Sequence, residues 1–259
     1  MTIWWRWSAC EVDVALFITC LTDTFAPRVG VAVVRLLRHF GCTVHFPTEQ
    51  TCCGQPHYNN GYHTEAAKLG RRLIDVFEGY PYVVTPSGSC AALVKLHLPH
   101  LLEQDARYAD RARGLASRTW EFGMFMTKVL NADLSQVPAP PGDSYTMHYS
   151  CHMRELADAP LVCRTLSDLN GVDYRPLERL DVCCGFGGAF NLQYPEISDG
   201  MTRDKVDNIR KTGASTLVCN EGGCGMTIGG TAHRIGVPMK IKHVAEVWAE
   251  GLGLMREAE

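Results

Sequence analysis

The chain has 259 residues, of which 46% are hydrophobic and 20% charged, with a formal net charge of -3. That length supplies one large or two modest hydrophobic cores, and so small a charge gives no electrostatic ground for binding nucleic acid or an anionic membrane. No run of about eighteen apolar residues is present to span a bilayer, so the unusual feature is the twelve cysteines.

Residues 1–11 read as an N-terminal extension in which Trp4, Trp5 and Trp7 surround Arg6. These rings are expected to cover apolar surface or meet a partner. The stretch Val14–Ile18, after Glu11 and Asp13, is too short for the hydrophobic region of a secretory signal. The expected compartment is therefore the reducing cytoplasm. There, cysteines point to metal ligation, redox chemistry or burial as small hydrophobes rather than to a disulfide framework.

A first cysteine-rich module is expected over residues 12–137. Asp13–Thr19 reads as a strand running into Cys20. Pro27 opens a helix through Val31–Leu37. Thr43–Phe46 is a second strand leading to Cys52-Cys53-Gly54. Thr64 is expected to cap a helix whose Ala66, Leu69, Leu73, Val76 and Phe77 form one apolar stripe. Tyr82–Thr85 is a third strand before the turn to Cys90. Residues 138–143, rich in proline, form the linker.

The second module, residues 144–259, repeats the plan. Ser144–His148 is a strand before Cys151, Val172–Tyr174 one before Cys183 and Cys184, and Thr216–Val218 one before Cys224. An offset of 131 residues carries Cys20, Cys52 and Cys53 onto Cys151, Cys183 and Cys184, and an offset of 134 carries Cys90 onto Cys224. A double pattern of this kind marks a duplication. Strands alternating with helices predict an α/β fold: two tandem pseudo-symmetric modules, each a small parallel sheet flanked by helices. Ligands of such sheets gather at the strand C-termini, where the cysteine-bearing loops would converge. Cys42 and Cys163, each alone in an apolar segment, are expected in the core.

Four thiolates from three loops suit a tetrahedral zinc or an iron–sulfur cluster. Adjacent side chains in an extended segment diverge, and a cluster lets them ligate different irons, which favours a cluster in each module, with zinc the alternative at either or both sites. Gly54, Gly88, Gly185, Gly222 and Gly223 crowd the ligands, so backbone N–H groups are expected to approach the cluster sulfurs. His148 and His152 flank Cys151 as candidates for proton transfer or for bonds to the cluster. Cys219 is a candidate fifth ligand of the second site. Cys-Gly-Phe-Gly-Gly matches no phosphate-binding loop, and no hydrolytic triad or paired carboxylates stand out.

At these residues the chain resembles the Cys-Cys-Gly domains of the heterodisulfide reductase catalytic subunit, a group that includes the iron–sulfur subunit of glycolate oxidase. Leu16–Cys20, Gln50–Pro56, Pro86–Cys90, Cys183–Gly188, Phe190–Ser198 and His243–Glu246 are similar to the lactate-utilisation protein A family. The resemblance runs from about residue 12 to 250. It implies a part in oxidising L-lactate to pyruvate, electron transfer through clusters of the 4Fe-4S type, and two partners: a ferredoxin-like iron–sulfur protein and a third small protein. The heterodisulfide reductase pattern ends Cys-x-x-Cys. Here the first of that pair is Ser87 in one module and Glu221 in the other, leaving four thiolates each. Tyr149 stands where relatives commonly carry an acidic residue.

Overall fold

A computed structural model describes residues 12–256; the Trp-rich segment and Cys10 lie outside the described residues. Two four-stranded parallel sheets carry the fold. The first comprises β1 (Val12–Leu16), β2 (Cys42–His45), β3 (Tyr82–Thr85) and β4 (Thr119–Glu121), in the order β2-β1-β3-β4. The second comprises β5 (Ser144–His148), β6 (Asp173–Tyr174), β7 (Thr216–Cys219) and β8 (Lys240–His243), in the matching order β6-β5-β7-β8. The register repeats too: Leu16 faces Val84 as Met147 faces Val218. The fold is thus two pseudo-symmetric α/β modules in tandem.

Side-chain alternation along the strands builds three cores. Val14 and Leu16 of β1, Tyr145 and Met147 of β5 and Val218 of β7 all enter one core shared by both modules. The opposite faces stay separate. Ala15 and Phe17 pack with Cys53 and Cys90 in the first module, and Leu217 and Cys219 with Cys184 and Cys224 in the second. Helix Pro27–His39 lies against helix Val244–Gly251 across the boundary, and Arg28 bonds both Glu246 (3.1 Å) and Glu250 (2.6 Å).

Some elements differ from expectation. β1 stops at Leu16, because the Ile18 N–H leaves the sheet to bond the Gln50 side chain. The helix expected to start on Thr64 begins at His63, and no side chain caps it. β4 and β8, which were not expected, complete the two sheets. Cys42 is buried, whereas Cys163 is only partly so. No helix among the described residues is long and apolar enough to cross a membrane.

Trp248 joins the modules most directly. It is fully buried, its indole N–H donates to the Thr165 carbonyl at 2.7 Å, and its ring lies 5.6 Å from that of Phe122 in the first module. Trp248→Ala should destabilise the protein by roughly 3–5 kcal/mol. Because that core is shared, urea denaturation followed by circular dichroism should still show a single transition. Two separated transitions would show that the halves are independently stable.

Candidate metal centre

Each cysteine tetrad is assembled from three loops at the C-terminal edge of its sheet. In the first module the Gln50 amide does the joining. It accepts from Ile18 N (2.9 Å) and donates to the Leu16 (3.2 Å) and Pro47 (2.8 Å) carbonyls, fixing the end of β1 to the loop bearing Cys52 and Cys53. Thr19 then turns the chain at φ 71° so that Cys20 opens a helix. A β-branched residue in that region is strained, and such strain persists only where its surroundings hold it.

Gly54 and Gly185 follow the paired cysteines at φ 95° and 83°, a left-handed turn that glycine makes without penalty. It sends backbone N–H groups back onto sulfur. Gly54 N donates to Cys52 Sγ and Gln55 N to Cys53 Sγ, both at 3.4 Å. Gly185 N donates to Cys183 Sγ at 3.4 Å and Phe186 N to Cys184 Sγ at 3.5 Å. Gly88 and Gly223 permit close packing. A Cβ on Gly88 would lie 2.7 Å from Met153 Sδ and one on Gly223 would strike the Phe186 ring, whereas one on Gly222 would make only ordinary contact with Thr22. Met153 follows Cys151 by two residues, so Gly88 lets the first module's helix press on the second module's cysteine loop.

All eleven described cysteines are free thiols. Cys53 and Cys90 Sγ are 2.9 Å apart, and Cys184 and Cys224 Sγ 3.1 Å. Bonds from Cys20 and Cys53 hold Cys52 down to about 2, while those same bonds, with burial, push Cys20 and Cys53 upward. The second tetrad repeats this. Cys183 is held down to about 2, led by Cys151, while Cys151 and Cys184 are pushed up, led by their bonds to Cys183. Thiols this close resist joint ionisation, and a bound cation or cluster supplies the charge that would allow it. The donor set fits a thiolate-held metal group.

The two tetrads do not occupy separate clefts: all eight cysteines line one cavity between the modules. Ser87 and Glu221 line it as well, and they are bonded to each other. One Glu221 oxygen accepts from Ser87 Oγ (2.7 Å), Ser89 Oγ (2.6 Å) and Ser89 N (3.0 Å). Ser87 Oγ also accepts from Cys90 N at 3.2 Å. The residues that replace the fifth cysteines thus form a hydrogen-bonded tie across the pseudo-symmetry axis.

His152 lines the same cavity, with Nδ1 3.8 Å from Cys151 Sγ. His148 is fully buried at the end of β5 and held down to about 3, chiefly by burial and then by Lys205. A nitrogen of its ring and the Cys184 and Cys224 sulfurs lie within 4.8 Å of one another. Cys219 does not line the cavity of the eight; it borders a separate pocket with Thr22 and His243, and burial pushes its thiol well up. Sequence reasoning passed over Glu121, which ends β4, accepts from Met124 N at 3.0 Å and is buried. The faint signal was a carboxylate three residues before a backbone N–H it can cap.

The comparisons agree with this geometry. The cysteine-rich domain model, CCG, matches twice, over residues 14–95 and 145–229. A lactate utilization protein A of Exiguobacterium sp. is 43% identical over 243 residues, covering 93% of this chain and 98% of that protein. Another, from Bacillus licheniformis, is 43% identical over 91% of this chain and 98% of its own length. The chain belongs to the lactate utilization protein A family. Among solved structures, a glutamate racemase of Francisella tularensis overlays with a TM-score of 0.36 at 10% identity, over 94% of this chain and 80% of that one. That likeness is too slight to inform the fold or the site.

Burial raises the Glu121 carboxyl from 4.5 to about 7, with Glu221 adding to the shift and the backbone N–H groups of Met124 and Gly123 opposing it. Between those two values the folded chain holds a proton that the unfolded chain has released, so stability falls as pH rises across that window. The loss is on the order of 3 kcal/mol at pH 7 and above. Glu121→Gln, which keeps the acceptor for Met124 N, should flatten that slope. Urea denaturation of metal-free protein across the window checks it, and an unchanged slope would assign the dependence to another group.

Proposed function

We propose that this chain is an iron–sulfur redox subunit of a lactate-oxidising assembly, passing on electrons released when L-lactate becomes pyruvate. The observation that carries the reading is the pair of thiol tetrads facing one cavity, each with backbone N–H groups already on its sulfurs. Cys20, Cys52, Cys53 and Cys90 would hold one 4Fe-4S cluster, and Cys151, Cys183, Cys184 and Cys224 the other. Such clusters supply one-electron carriers when bound.

The chain's own groups set the conditions around them. N–H donors from Gly54, Gln55, Gly185 and Phe186 stabilise thiolate charge, an effect that tunes potential in cysteine-held centres. Cys53, Cys90, Cys184 and Cys224 are buried, and exposed Cys20 leaves one side of the first tetrad open to a partner. The partners this reading requires are a ferredoxin-like iron–sulfur protein and a third small protein, as the lactate-utilisation relatives suggest. The setting is the cytoplasm, where the thiols stay reduced.

A zinc-stabilised binding subunit is the second reading. It is favoured by the four-thiolate count, with Ser87 and Glu221 bonded to each other rather than replaced by further sulfur.

Anaerobically purified protein should be coloured, carry iron and acid-labile sulfide, and give an electron paramagnetic resonance signal on reduction. Cys53→Ser and Cys184→Ser should each remove about half the iron, since each disables one tetrad. Colourless protein holding about one zinc per tetrad would establish the second reading instead. Protein free of both metals would refute the two together.

A further inference from the structure

The two modules share a frame but not a ligand set. The offset of 131 residues that carries Cys20 onto Cys151 carries Phe17 onto His148. The sheets agree on this equivalence: Phe17 N donates to the Val84 carbonyl at the end of β1, and His148 pairs with Cys219 at the end of β5. Both side chains are fully buried. Phe17 is apolar and packs 5.5 Å from the Phe77 ring, within the core that holds Cys53 and Cys90. His148 occupies the same place against Cys184 and Cys224 with a ring that has two nitrogens to satisfy.

Neither nitrogen is satisfied. Nδ1 and Nε2 are both buried without a hydrogen-bond partner. A histidine retained as a core residue bonds at least one nitrogen to a carbonyl or a hydroxyl, because burying an unpaired polar atom is costly. A histidine that supports a cluster through N–H donation bonds a sulfur, and His148 makes no such bond either. What the imidazole does have is a nitrogen within 4.8 Å of both the Cys184 and the Cys224 sulfur, the three lying together in the interior. Two thiolates and an imidazole at that spacing form a mixed sulfur–nitrogen ligand set for a metal.

We propose that His148 is a nitrogen ligand of the metal group in the second module, alongside Cys184 and Cys224, and that the first module, with Phe17 in its place, holds its group through sulfur alone. This rests on the reading that the tetrads bind metal. Its consequence is an asymmetry of ligation: the second group carries an imidazole nitrogen besides its sulfurs, and the first does not.

The test uses the full chain, purified anaerobically with its native metal, as wild type, His148→Phe, His148→Asn, Phe17→His and His152→Gln. Metal K-edge X-ray absorption reads nitrogen ligation for iron or zinc alike. Pulsed electron paramagnetic resonance on protein grown with nitrogen-15 histidine reads it for reduced iron. Wild type should show one directly bound imidazole per chain. Both His148 variants should lose it. Phe17→His should add a second bound nitrogen, and His152→Gln should change neither signal. If His148→Phe does not fold, His148→Asn makes the same comparison. Sulfur-only ligation in wild type, or a bound nitrogen that survives loss of His148, overturns the assignment while leaving the metal-binding reading intact. Protein that binds no metal overturns that reading first, and the assignment with it.

Discussion

Crowded thiols set the terms for this molecule. Sulfurs 2.9 and 3.1 Å apart cannot all carry charge in a buried setting, and the surrounding backbone is arranged to reduce that conflict. Gly54 and Gly185 adopt left-handed turns so that N–H groups fold back onto the paired cysteines. Parallel pairing delivers the other ligand loops to the same sheet edge, because every strand of a parallel sheet ends on one side. The left-handed Thr19 and the bridging Gln50 amide are part of the same arrangement, since both fix how Cys20 leaves β1.

Duplication placed two such sites in one chain, and the interface between the modules made them one cavity. Gly88 lacks the Cβ atom that would keep its helix off the second module's cysteine loop. Ser87, Ser89 and Glu221 then close the boundary with three donors on one carboxylate oxygen. Ser87 and Glu221 are thus bound into the boundary between the modules, and cysteine at either position would break the tie.

The repeat was legible because it rests on residues with few substitutes: the paired cysteines and the glycine at positive φ that follows them. The parallel α/β plan followed from the alternation of elements. The fourth strands were not legible. Thr119–Glu121 is three residues long, and Lys240–His243 offers one aliphatic side chain, Ile241, between two lysines, so each is too slight to mark a strand by itself. The shared cavity was hidden for another reason. It depends on contacts such as Ser87 to Glu221, 134 residues apart, which no local pattern encodes. Among the glycines near the thiols, Gly54 and Gly185 donate N–H groups to cysteine sulfur. At Gly88 and Gly223 the close neighbours are the Met153 and Phe186 side chains, which no local pattern foretells.

The modules differ along most of their length, positions beside the thiols included. Sheet order and register are kept, and so are the tetrads. Beside them, Phe17 stands against His148, Thr85 against Cys219 and Ser87 against Glu221, where the second module carries the stronger electron-pair donor, while Ser89 against Gly223 and Gln55 against Phe186 run the other way. The shared frame therefore fixes where the thiols meet and leaves the groups around them free to differ, so each module's surroundings have to be read position by position.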